Sequence, residues 1–172
     1  MATVAKPPAI PKAKRKSIAP DLYERMLAGG SILLLVAVAA AIARGASQWA
    51  SVPAMVWVHL ATIMLALALT PLLLLQKRGS RRHRQLGWAW AIAMYSTAVA
   101  SLFVRENNGG FSWIHLLSLL TLVTVPLLVG AARKHKVALH RMAVRCLVTG
   151  ALLLAGFFTF PFNRMLGRWL LG

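Results

Sequence analysis

Trp57-Val58-His59-Leu60 leads through an apolar run to Pro71-Leu72-Leu73 and on to His83-Arg84, and the same order returns as Trp113-Ile114-His115-Leu116, Pro126-Leu127-Leu128 and His140-Arg141. The copies are offset by 56, 55 and 57 residues at these three markers, so only small insertions separate them. This is an internal repeat, each unit reading as a helical hairpin. One histidine lies near the start of its first helix and one at the start of its second.

Outside the repeat, composition fixes the class. The 172 residues are 59% hydrophobic, and several apolar runs reach the ~20 residues that cross ~30 Å of hydrocarbon. The sequence therefore predicts an all-α integral membrane protein of one domain, residues 20–172, behind a basic, Pro-containing arm at 1–19. Spans are expected at about 26–43, 52–75, 84–104, 111–132 and 139–160. The second to fifth form a four-helix bundle from two repeated hairpins, and Asn163 to Leu171 reads as a short interfacial helix.

A formal charge of +17 suggests nucleic acid in a soluble chain, but here Lys and Arg sit between apolar runs, where they set membrane orientation, so no nucleic-acid partner is expected. Sixteen of the 20 lie in the arm counted with Arg25, the 2-3 connection counted with Arg84, and the 4-5 connection with the start of the fifth helix. That asymmetry predicts a cytoplasmic N terminus, a periplasmic C terminus and contact with anionic headgroups. Trp49, Trp57, Trp113 and Trp169 then fall at the outer interface, and Trp88 and Trp90 at the inner one. Pro20 is expected to open the first helix, with Asp21 and Glu24 against its dipole. Alanines 37, 39, 41 and 43 allow a close neighbour, and the lone Cys146 reads as a small core residue. Pro71 and Pro126 interrupt the hydrogen-bond ladder near the inner ends of the second and fourth helices.

This topology puts His59 and His115 at one depth and His83 and His140 at the other. In an antiparallel bundle the second and fourth helices are diagonal, as are the third and fifth, so each pair faces one central space. Imidazole suits iron, zinc and copper, and a bundle core is a normal cofactor site. The spans carry no acidic residue, which leaves little material for a hydrolytic zinc site or a carboxylate relay. A b-type haem needs two axial nitrogens and an apolar slot. The pattern thus points to two b-type haems, ligated by His59 with His115 and by His83 with His140, about 20–25 Å apart at 1.5 Å per residue. Such a stack would carry electrons across the membrane. Gly87 and Gly150 offer room for a macrocycle on the inner side; the outer pair has only Ser112 and Ser118 nearby.

A second reading uses the same residues structurally. A histidine near an interface is also an ordinary hydrogen-bonded side chain, the His-Arg pairs also suit lipid phosphate, and His135 among Arg133, Lys134 and Lys136 reads as a solvated loop residue. The chain would then be a cofactor-free accessory or assembly subunit of a larger respiratory or photosynthetic membrane complex. A quinone pocket near His83 and His140 fits either reading. A transporter finds little support, since the spans hold only scattered Ser and Thr.

Two resemblances attach to these residues. The histidine layout resembles that of the ascorbate-linked di-haem b-type transmembrane cytochromes, whose second and fourth helices hold one haem and third and fifth the other. It departs from them in having five spans instead of six and in placing the inner histidines beside arginines. From His59 onward, and especially across Phe111-Ser112-Trp113-Ile114-His115-Leu116-Leu117-Ser118, His140-Arg141 and Ala155-Gly156-Phe157-Phe158-Thr159, the chain also looks like a family of small bacterial inner-membrane proteins known as a domain of unknown function. That likeness implies the fold and a bacterial inner membrane, and carries no activity.

Overall fold

The computed structural model describes residues 19–104 and 113–172. The arm at 1–18, the 105–110 loop, Phe111 and Ser112 lie outside the described residues, as do the side chains of Trp113 and Ile114. Among the described residues, five helices are long and apolar enough to cross a membrane: α1 (Leu22–Arg44), α2 (Ala54–Leu75), α3 (Arg81–Phe103), α4 (Trp113–Arg133) and α5 (Val137–Phe157). A short helix, α6 (Met165–Leu171), follows. The protein is an all-helical membrane protein.

Helix starts are set by caps, which moves two expected boundaries. Asp21, not Pro20, opens α1: its carboxylate accepts the Glu24 N–H at 3.0 Å and the Glu24 carboxylate accepts the Asp21 N–H at 3.2 Å, a reciprocal box that satisfies two otherwise orphaned donors. Likewise α3 starts at Arg81 because the Ser80 hydroxyl accepts the His83 N–H at 3.0 Å. The chain after α5 turns from Phe158 onward instead of continuing to 160, with Phe162 and Asn163 both in left-handed conformation before α6. Within α5 the ladder widens to a π segment over Val148–Leu154, around Gly150.

α2 to α5 make the four-helix bundle: α2 packs on α3, α3 on α4, α4 on α5, and the π segment of α5 touches α2. α2 with α4 and α3 with α5 are the diagonals. The core runs through Leu67, Met94, Val148 and Leu152. α1 lies outside the bundle against α2 and the π segment, and closes that seam.

Several side chains fall elsewhere than expected. Trp90 is 3% exposed and donates its indole N–H to the Thr70 hydroxyl at 2.9 Å, so it belongs to the core and only Trp88 stands at the surface. Cys146 is exposed on the outside of α5, not a core residue. Of the small residues on α1, Ala41 is fully buried while Ala39 and Ala43 face outward. The expected short C-terminal helix, α6, docks on α1 with Leu166, Gly167 and Trp169 buried. A Cβ at Gly45 would run into the Trp169 ring, and the Trp169 N–H reaches the Gln48 side-chain oxygen at 3.0 Å.

Candidate functional site

The end of the bundle that carries the 2-3 and 4-5 connections, here the basic end, holds a cavity of about 510 Å³. His83 reaches it from the first turn of α3 and His140 from the first turn of α5. His140 Nδ1 lies 3.0 Å from the Leu128 carbonyl of α4. A carbonyl only accepts, so Nδ1 carries the proton and the neutral ring keeps its lone pair on Nε2. His83 Nδ1 is buried with no hydrogen-bond partner. Gly87, one turn beyond His83, lines the same cavity, and a Cβ added there meets nothing within 4 Å. Gly150 is equally uncrowded but lines neither cavity; it belongs to the π segment.

At the far end a cavity of about 790 Å³ is lined by His59, from the second turn of α2, and His115 of α4, which is 5% exposed. His59 Nδ1 lies 3.2 Å from the Thr97 carbonyl of α3, which again leaves Nε2 as the lone-pair nitrogen. Hydroxyls dominate the polar lining: Thr97 donates to Thr62 at 2.7 Å, and the Ser101 and Ser118 oxygens are 2.6 Å apart. The residues of the C-terminal segment, Asn163 and Arg168 among them, form part of the wall. Gly156 also reaches this wall, but a Cβ there would strike Leu34, so this glycine serves the contact of α1 with α5.

The four histidines chosen from the sequence are therefore brought together as two pairs, each on its own cavity. His135 is exposed in a left-handed turn and borders the basic-end cavity without a helix to hold it. Among the described residues no three His, Cys, Asp or Glu gather to hold a metal ion.

A third cluster had not been anticipated. Glu24, 1% exposed, receives Arg141 at 2.7 and 2.9 Å, Arg145 at 3.1 Å and Arg78, while Asp21 receives Arg141 at 3.0 Å and Arg145. Tyr23 completes it, its ring 5.6 Å from the Arg145 guanidinium carbon and its hydroxyl 2.6 Å from Thr149. The Glu24 N–H, and beyond it the Arg145 guanidinium, hold the Asp21 carboxyl below the usual carboxylate range against a smaller opposing effect of desolvation. The cluster ties α1 to the 2-3 connection and to α5 at one point. A burial this complete suits a carboxylate only when its lone pairs are filled, and here guanidinium forks fill them. The sequence held one signal for it: two acids opening the first helix of a chain with 20 Lys and Arg must find basic partners.

Comparison of the chain with protein-family models, with curated proteins and with solved structures gives no match.

Proposed function

We propose that this integral membrane protein carries electrons across the bilayer on two b-type haems, one held by His59 and His115 and the other by His83 and His140. The observation that carries the reading is that each histidine pair shares a cavity while one ring of each pair is oriented by a backbone carbonyl. That second hydrogen bond fixes the tautomer and raises the basicity of the nitrogen left for a metal. Cavities of about 510 and 790 Å³ lie in the range for small-molecule and cofactor sites. A bare ion would find too few protein ligands, since no group of three gathers among the described residues; a metal that brings its equatorial ligands in a macrocycle needs only the two imidazoles. When bound, a b-type haem supplies a reversible one-electron couple.

The remaining residues bind and shield. Leu128, Val144 and Val148 offer an apolar wall at the basic end, and the C-terminal segment closes part of the far cavity. Thr97 aims His59, and Leu128 aims His140. In the orientation set by the basic connections, the His83/His140 cavity faces the cytoplasm, where a quinone would meet it.

The test is an optical spectrum of the purified chain, oxidised and then reduced with dithionite, with haem quantified. The expected result is a reduced b-type band at two haems per chain, with His59→Ala and His140→Ala each removing one and sparing the other. A colourless protein that travels with a larger membrane complex would overturn the reading in favour of an accessory subunit.

A further inference from the structure

At the basic end the charges divide into two sets. Glu24 and Asp21 are the acidic residues among those described, and both are spent on Arg78, Arg141 and Arg145. Two other arginines on the rim of the same cavity have no carboxylate partner among the described residues. Arg84 gives one N–H to the Gly79 carbonyl at 3.0 Å, and Arg133, at the end of α4, makes no ion pair among the described residues. Both are exposed. The α3 and α5 N-termini, the positive ends of their dipoles, lie at this end too. Below the rim the walls turn apolar, with Leu73, Leu74, Val129 and Val148. Inside is the buried His83 Nδ1 without a partner.

From this juxtaposition we infer that Arg84 and Arg133 are the headgroup clamp of the basic-end cavity, which binds an amphiphile with an apolar body and an anionic end. A guanidinium presents paired N–H donors that match a carboxylate or phosphate edge, and each such contact is stronger than a neutral hydrogen bond. Two sources share that chemistry: a porphyrin with its two carboxylates, and an anionic phospholipid. The inference goes beyond the haem reading, because it concerns the acidic end of the occupant and requires no iron.

The experiment uses the full chain, purified in mild detergent from cells that cannot make haem, and titrates it with metal-free protoporphyrin IX. The clamp predicts at least tenfold weaker binding of one porphyrin per chain in Arg84→Gln with Arg133→Gln. The same loss is expected when the dimethyl ester replaces the free acid, and Lys at both positions should restore part of the affinity. Arg81→Gln with Arg82→Gln removes equal charge from exposed residues that do not line the cavity, and should stay within twofold. Unchanged porphyrin binding together with unchanged lipid retention in the Arg84/Arg133 variant, or an equal loss in the Arg81/Arg82 control, would overturn the clamp. Native mass spectrometry of the same proteins separates the sources: phosphatidylglycerol retained by the wild type and lost only from the Arg84/Arg133 variant assigns the site to lipid. His83→Ala and His140→Ala judge the haem reading separately, since they remove iron coordination and leave the carboxylate contacts in place.

Discussion

The two ends of this bundle each hold a cavity, about 510 Å³ at the basic end and about 790 Å³ at the far end, by different means. At the basic end the walls are apolar and rigidity comes from charge: one buried carboxylate gathers three arginines from the 2-3 connection and α5. At the far end the contacts described are of another kind. Hydroxyls pair across α2, α3 and α4, and a short helix wedges its tryptophan against α1. One end is therefore sensitive to the loss of a single charge, the other to the loss of a close fit.

The largest effect should come from breaking the charge knot. Glu24→Gln leaves Arg78 without a carboxylate and Arg141 and Arg145 with Asp21 alone, and removing one partner of a buried ion pair costs about 3–5 kcal/mol. A large drop in the thermal midpoint in detergent is expected, with proteolysis appearing first near the start of α1; an unchanged midpoint would mean the arginines are held by lipid phosphate instead. Next comes the close fit at the far end. A Cβ at Gly167 would collide with the Phe160 carbonyl, which is backbone and cannot swing aside. Gly167→Ala should cost about 1–3 kcal/mol and raise solvent access to His59, measured by modification of the imidazole, while His83 is unaffected. If both ends respond together, the two cavities are coupled through the bundle.

A smaller effect separates the ends from the core between them. Trp90→Phe removes the hydrogen bond to Thr70, whose own hydroxyl still donates to the Ala66 carbonyl at 2.7 Å. A loss of about 1 kcal/mol is expected, measured as a midpoint shift. The smallest is the pH response of the knot. Because the Asp21 pKa is lowered in the folded protein, its contribution is present above the ordinary carboxylate pKa of about 4 and disappears as pH falls through the lower folded value. Stability should therefore hold down to about pH 4 and drop below it, and Asp21→Asn should flatten that limb. A profile identical in Asp21→Asn would shift the acid sensitivity to Glu24.

The sequence carried the fold because apolar runs and their basic flanks are summed over some twenty residues, too many for any local exception to overturn. It placed the four histidines at two depths, His59 and His115 on one cavity and His83 and His140 on the other, because depth in a membrane follows from position along a span. Boundaries slipped where a single cap decides, at Asp21 and Ser80. Which face of a helix packs was harder: in lipid both faces are apolar, so Cys146 and Trp90 gave no periodic signal to sort inside from outside. Glu24 was legible only in its local role. A dipole and a capping box account for it within four residues, and nothing local announces partners 54 and 117 positions away.

The π segment of α5 has a consequence for descent. A π turn holds one residue more than the α-helical turn it replaces, the register that a single inserted residue would produce. Chains related to this one would then be expected to differ in length by one residue between Val148 and Leu154. Those lacking it would turn everything after the gap by roughly 100°, about one residue's share of a 3.6-residue turn, so that Ala155 and Thr159 would leave the far cavity while His140 kept its place.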